Sequence, residues 1–381
     1  MFRKLKAALL SNMYTKDMVY RTKYYRHNSQ LLTLQDTCSK IDIFNSDEII
    51  KTNKRIHMFT KNDNSIVNFV RTFSESLHYG HLRSLFEYGD ISPKKAIYFP
   101  AIEHGCFFTP RIYGDVNGSV AAMGSYRKDV LRKAYPETPI FMLGPYIHYA
   151  TSYYDNEKLA RLKKKFSKTL MIFPQHTIET ATNAKYDMQE FIRGIITKVA
   201  PDFNTVAACL YWKDFDTELY DILRANGIEI MSAGYRWDYN FIRRLKTIIA
   251  LADVAISNSI GTHLGYCAFY GKPFKYIDSN IKISEKGIPP LNENERREIN
   301  TLGNAFSKEL TIQEQRDACE PYWGFGEIKS KEEIKEISNL CKTISRMCRG
   351  SYIRYNPAVQ NLLKSGLGNM QYNLLHQATA H

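Results

Sequence analysis

Apolar and polar positions change their rhythm along the chain. Through residue 50 the periodicity is weak, and from Asn64 to Gly89 the spacing turns helical. After that, short apolar runs alternate with helix-spaced stretches. The runs predict strands at Lys95–Pro100, Val120–Met123, Pro139–Leu143, Thr169–Phe173, Thr205–Leu210, Ile228–Met231, Val254–Ile256 and Phe274–Ile277. Helices are expected at Tyr126–Ala134 and Asn156–Phe166, then near 187–199, 216–226, 239–251 and 260–270. Alternation of this kind predicts an α/β fold with a doubly wound parallel sheet in the second half. In the helix after Asp238, Phe241, Leu245, Ile248 and Ala252 share one side, with Arg243, Arg244 and Lys246 elsewhere. Beyond Asp278 the pattern fades into a polar loop reaching Glu320-Pro321-Tyr322-Trp323-Gly324. A last helix, Lys331–Arg349, carries the stripe Ile334, Ile337, Cys341, Ile344 and Cys348, with Gly350 as its C-cap.

The most informative stretch is Leu251 to Asp278. A buried strand, Val254–Ile256, runs into the polar turn Ser257-Asn258-Ser259-Ile260-Gly261-Thr262-His263, followed by an apolar helix and a second strand. Ser259 is the expected N-cap, and Gly261 would let a ligand approach the backbone. Free N–H groups and the helix dipole at such a start suit a phosphate or pyrophosphate. The turn matches neither the Walker sequence nor the dinucleotide fingerprint, which argues against ATPase and dehydrogenase functions. An ordinary strand-to-helix connection without a ligand is the competing reading.

At 381 residues the chain is long enough for two cores. The expected division is 1–150, then 151–290, then a helical region 291–381, the first boundary falling between Gly144-Pro145-Tyr146 and the helix at Asn156. No apolar run is long enough to span a bilayer, and the N-terminus lacks the features of a signal peptide. Seven scattered cysteines give neither a disulfide framework nor a metal-ligand pair, which fits a cytoplasmic location.

The net charge of +13 calls for a partner or a solvated surface. Within residues 1–30, Arg3, Lys4, Lys6, Lys16, Arg21, Lys23 and Arg26 face Asp17 alone, and Met1, Phe2, Leu5, Leu9 and Leu10 can share one helical face. That combination suits the anionic surface of an inner membrane, and a solvated basic tail explains it too. The basic residues are not interleaved with an RNA-reading module, so nucleic acid is not an expected partner.

Candidate chemistry gathers where strands end. His104 follows the first strand in a Gly-containing turn with Glu103 beside it, and either is a candidate general base. His176, in Pro174-Gln175-His176-Thr177, ends another strand and is expected to face the same cleft as His263, each donating to phosphate or nucleotide. A loop histidine satisfied by backbone is the plainer reading of each. Arg236 and Asp238 could reach a base or ribose, or form a surface ion pair. His78 and His81 lack further ligands at useful spacing, so no metal is expected. Asp214 or Asp216 would cap the following helix, although Asp-x-Asp after a strand also marks metal-dependent nucleotide sites.

The segments SNSIGTHLGYCAFYGKP, FPQHTIE and CLYWKDF together resemble GT-B-type glycosyltransferases from bacterial capsule and O-antigen clusters, over about residues 95–280. The resemblance implies two Rossmann-like domains with a cleft between them and C-terminal helices packing back on the first. It implies transfer of a sugar from a nucleotide-sugar donor to a growing or lipid-linked surface glycan, without metal or other cofactor and with inversion. Ser257, Asn258, Ser259, Gly261, Thr262, His263, His176 and Arg236 would hold the donor, and His104 or Glu103 would take the acceptor proton. Alternatives of the same fold are a CDP-polyol phosphotransferase, a nucleotide-sugar epimerase and a non-catalytic partner in polysaccharide assembly.

Overall fold

The computed structural model of the chain describes residues 15, 18–19, 22, 33–60, 78–92, 99–103, 105–108, 119–134, 136, 138–176, 182–285 and 293–347. Two parallel sheets dominate. The first holds β1 (Ala101–Ile102), β2 (Val120–Ala122) and β3 (Ile140–Met142) in that order. The second is built from β4 (Thr169–Phe173), β6 (Thr205–Cys209), β7 (Glu229–Met231), β8 (Val254–Ser257) and β9 (Phe274–Tyr276), in the order β7-β6-β4-β8-β9. A separate antiparallel pair joins β5 (Thr182–Lys185) to β10 (Lys282–Glu285). The protein is therefore α/β with parallel sheets, and helices connect β2 to β3 and the consecutive strands of the five-stranded sheet.

Every residue of β4 is buried, as expected for a central parallel strand covered on both faces. Leu170 pairs with Val254 and Val206, so β4 lies between β8 and β6. From β4 the chain steps to β6 and β7 on one side, then returns to β8 and β9 on the other. The reversal falls between β4 and β8. In open α/β sheets, ligands bind at that switch point, outside the C-terminal strand ends.

Eleven named helices surround the strands among the described residues: α1 (Ser46–Thr60), α2 (His81–Tyr88), α3 (Ser125–Ala134), α4 (Asn156–Phe166), α5 (Met188–Lys198), α6 (Glu218–Ala225), α7 (Phe241–Leu251), α8 (Thr262–Phe269), α9 (Glu293–Phe306), α10 (Ile312–Trp323) and α11 (Lys331–Met347). Local chemistry sets several starts. The Asp155 carboxylate accepts the Lys158 amide at 2.7 Å to open α4, and Asp187 accepts the Glu190 amide at 2.8 Å to open α5. One large apolar cluster joins Ile102, Ala121 and Phe141 of the first sheet to Met171 and Ala255 of the second.

Several expectations change. The first strand is Ala101–Ile102, whereas the predicted Lys95–Pro100 run lies outside the described residues except for Phe99 and Pro100, which belong to no strand. The stretch read as a polar loop after Asp278 contains α9 and α10. Both are polar overall and bury short stripes, Leu302 and Phe306 in one, Cys319 and Trp323 in the other. Thr311 and Glu314 cap each other reciprocally at the start of α10. The α6 cap is Thr217 rather than Asp214 or Asp216. Asp214 is buried inside the preceding turn, and its carbonyl accepts the Thr217 hydroxyl at 2.7 Å.

Helix α11 buries Ile334, Ile337 and Cys341, and Cys341 lies 3.4 Å from the Ser119 hydroxyl beside the first sheet. The Ile344 side chain, Cys348 and Gly350 fall outside the described residues, as does nearly all of the basic segment 1–30. Among the described residues no helix is long and apolar enough to cross a membrane. Six cysteines among them are free thiols.

Candidate functional site

The candidate site lies where β8 runs into α8. Gly261, not Ser259, is the N-cap of α8, with an extended backbone (φ −142°) and no side-chain cap. A helix start leaves its first amides short of intrahelical partners, and a cap without a side chain cannot satisfy them; here the Leu264 amide donates to the Gly261 carbonyl at 3.1 Å, which leaves those of Thr262 and His263. Ser259 instead turns back: its amide donates to the Ser257 hydroxyl at 3.0 Å, and the two hydroxyls sit 3.2 Å apart. Serine favours such local closure over helix continuation.

Asn258 is buried and braces the turn from both sides. Its Oδ1 accepts the Gln175 amide at 2.7 Å, and its Nδ2 donates to the Ser279 hydroxyl at 2.9 Å. The loops after β4 and β9 are thereby tied to the turn after β8. Ser257 and Asn258 thus shape the turn with their side chains, while Gly261, Thr262 and His263 form the helix start itself.

His263 lies between aromatic rings, stacked on Phe173 at 5.0 Å and tilted against Phe274 at 5.7 Å. Burial, reinforced by nearby His176, lowers its pKa from 6.5 to about 3. The imidazole is neutral at physiological pH, and its buried Nε2 has no hydrogen-bond partner among the described residues. A neutral imidazole can donate one hydrogen bond without adding charge.

The loop after β1 meets this helix start directly. The Cys106 amide donates to the Thr262 hydroxyl at 3.0 Å, and a Cβ on Gly105 would lie 2.7 Å from that oxygen. Trp323 closes the third side, its Nε1 donating to the Thr262 carbonyl at 3.2 Å. The C-terminal edges of both sheets therefore converge on the first turn of α8.

At the first sheet's edge, Glu103 and Arg127 form a two-pronged ion pair, with Arg127 Nε 2.6 Å from Glu103 Oε2 and Nη2 bonded to Oε1. Both side chains are 5% exposed. Glu103 is therefore a partnered carboxylate whose geometry is set by α3. His104 lies outside the described residues.

His176 follows β4, is exposed, and stands with its ring 4.6 Å from that of Tyr211 at the end of β6. His176 stands near enough to His263 for its charge to act on that imidazole. The fold does not bring Arg236 to them. Arg236 follows β7, separated from β8 by β6 and β4, and its carbonyl accepts the Tyr79 amide at 2.6 Å. The surface pair expected between Arg236 and Asp238 is replaced by a core pair: Asp238 binds Arg244, and each side chain is 1% exposed. Arg244 also donates to the carbonyls of Cys38 and Ser39 at 2.9 and 3.0 Å. His78 and His81 are both buried among aromatic rings, against Trp237 and Tyr146. Among the described residues no three His, Cys, Asp or Glu side chains gather as a metal site.

No protein-family model matches the chain, and no curated protein matches it. Among solved structures it is similar to three of the wall teichoic acid polymerase TagF, one of them soaked with CDPG. Identities are 10%, 12% and 11%, with TM-scores of 0.34, 0.34 and 0.33. In each case 59% of this chain is covered, and the match spans 57% of the other chain's length.

Four residues of this region were not among the expected site residues: Gln175, Arg127, Tyr211 and Trp323. Gln175 acts through its backbone, which sequence does not display. Arg127 sits in an amphipathic helix among other basic residues and gives no signal. Tyr211 and Trp323 belong to the aromatic clusters CLYWKDF and EPYWGFG at element ends, and these were the available sign.

Proposed function

We propose that the protein is a transferase acting on a nucleotide-linked donor, with the donor diphosphate held by the first turn of α8. The observation that carries this reading is the uncapped α8 start at the β4/β8 switch point, facing the loop after β1 of the other sheet. Backbone amides preorganised at a helix start stabilise a phosphate leaving group as charge develops, without reorganisation. The Thr262 hydroxyl and neutral His263 add polar groups at the same place.

In this reading the donor is a nucleotide sugar, used without metal, and the acceptor is a growing or lipid-linked surface glycan entering from the first sheet. His104 takes the acceptor proton, displacement is direct, and the anomeric centre inverts. Glu103, held by Arg127, fixes the loop that carries the base. In this reading the two sheets belong to the two halves of a GT-B enzyme that meet at a cleft, and the basic residues 1–30 suit an anionic membrane face.

The test is nucleotide release from UDP-, GDP-, CMP- and CDP-linked donors, including a CDP-polyol, with acceptor extracts. Turnover of one nucleotide sugar, reduced ~10²-fold or more by His104→Ala, is the expected result. Turnover of the CDP-polyol alone would replace sugar transfer by phosphotransfer. Absence of turnover with every donor, together with no stabilisation of the fold by any free nucleotide, would remove the reading.

A further inference from the structure

The two strands beside β8 each send out a chain that joins a separate ribbon. β4 and β9 flank β8 in the five-stranded sheet, and β5 follows β4 as β10 follows β9. β5 and β10 pair antiparallel, from Lys282 opposite Lys185 to Glu285 opposite Thr182. Neighbouring strands lie ~4.8 Å apart, so the two chains leave the sheet ~10 Å apart and meet at half that distance. Each must lean inward, across the end of β8 from which the polar turn and α8 emerge.

The root of the ribbon is fixed. The buried Asn258 side chain accepts the Gln175 amide on the β4 side and donates to the Ser279 hydroxyl on the β9 side, at 2.7 and 2.9 Å. The next residue, Asn280, turns back with φ 52°, and its amide donates to the Asp278 carboxylate at 2.9 Å. Directly after β5, Tyr186 packs edge-on against Phe191 of α5 at 5.9 Å. One amide side chain in the turn after β8 thus holds both arms.

Beyond that root the ribbon belongs to neither main sheet, and a two-stranded ribbon is marginally stable by itself. Its register adds a weakness. Lys185 and Lys282 share one face at the root, and like charges directly opposite weaken an antiparallel pair. An anion beside the root removes that repulsion.

We propose that the β5–β10 ribbon is a clasp that closes over an anion held at the α8 start, with Asn258 as the residue that positions it. This rests on the donor-site reading above and adds a moving element to it. A ligand shifts a conformational equilibrium only through unequal interaction with the two states. The lysine pair provides that inequality, since pairing the strands brings two positive charges together unless an anion accompanies them. Closure then shields the leaving group from water.

The experiment is hydrogen exchange of the full chain, read by mass spectrometry over β5 and β10, with and without inorganic pyrophosphate. Calorimetry measures pyrophosphate binding in parallel, and melting curves confirm that each variant folds. In the unmodified chain, saturating pyrophosphate is expected to slow exchange of the ribbon amides about 5-fold or more. Lys185→Gln should slow the same amides about 2- to 5-fold without ligand, by relieving the like-charge pair, and should reduce the further effect of pyrophosphate. Ser279→Ala cuts one arm from Asn258 and leaves the turn after β8 intact. Its ratio of exchange rates without and with pyrophosphate should fall toward one. A merely structural tether would speed exchange equally in both conditions and keep that ratio.

If pyrophosphate binds the unmodified chain and leaves ribbon exchange unchanged, the clasp is overturned and the anion site stands. An unchanged ratio in Ser279→Ala overturns the positioning role of Asn258. Faster exchange of ligand-free Lys185→Gln overturns the lysine pair as the driver. Failure of pyrophosphate to bind the unmodified chain removes the donor-site reading itself, and the clasp with it.

Discussion

Thr262 and Cys106 are 156 positions apart in sequence, yet the Cys106 amide donates to the Thr262 hydroxyl at 3.0 Å. This one bond joins the C-terminal edge of the first sheet to the helix that starts at the edge of the second. It also defines the floor of the candidate site, because Thr262 is the first residue of α8.

Replacing Thr262 by Val keeps its shape and removes the acceptor, leaving a part-buried N–H without a partner. A loss of about 1–3 kcal/mol is expected. Thr262→Ser, which retains the hydroxyl, should lose less. Urea denaturation of the two variants is the measurement, and equal stabilities would show that the bond contributes nothing.

Two helical glycines should respond in opposite ways to alanine. A Cβ on Gly265 would overlap the Trp323 indole, which is itself fully buried. Gly265→Ala should therefore destabilise by about 1–3 kcal/mol or more through overpacking, and it should disturb the region around Trp323. Gly194 in α5 has nothing within 4 Å of the same position, so Gly194→Ala should stabilise by about 0.5–1 kcal/mol. Melting temperatures moving in the same direction would contradict the packing described.

The buried pair Glu103–Arg127 is expected to be strongly non-additive. Arg127→Met alone leaves a carboxylate 5% exposed without its main partner and should cost about 3–5 kcal/mol. Glu103→Met together with Arg127→Met should recover much of that loss, because neither charge is then buried. A double-mutant cycle measures the coupling. A double variant as unstable as the two singles combined would mean that the pair does not act as a unit.

His263 gives the fold an acid sensitivity with a definite sign. Its pKa is lowered from 6.5 to about 3 in the folded protein, chiefly by burial. As pH falls below about 6.5, the unfolded chain takes up a proton that folded His263 refuses. Stability from this residue is full above 6.5 and declines toward pH 3, by up to about 1.4 kcal/mol per pH unit. His263→Phe keeps a ring between Phe173 and Phe274 and removes the titration. Its stability difference between pH 7.5 and pH 5 should be smaller than that of the unmodified chain, as read from urea midpoints.

What local pattern encodes was legible in the sequence. The β4 strand at Thr169–Phe173 and the α4 helix at Asn156–Phe166 have the boundaries that apolar run and helix spacing predict. The turn between β8 and α8 was legible as an unusual polar segment at a strand's end. The reciprocal cap of Thr311 and Glu314 was also there to be read, although the weak apolar stripe of α10 hid the helix. These features arise between residues a few positions apart, where chain geometry alone decides which groups meet.

Tertiary structure decided the rest. Amphipathic spacing places Arg244 away from the apolar side of α7, yet its guanidinium is buried because Asp238 and the carbonyls of Cys38 and Ser39 converge on it. Ser259 has the right chemistry for an N-cap, but the helix starts after Gly261, where Thr262 meets the Cys106 amide and Trp323. The nearness of His176 to His263, and the distance of Arg236 from both, follow from a strand order that no local pattern reveals. Periodicity tells a chain which faces to bury. Which distant partner covers each face is settled only when the sheets assemble.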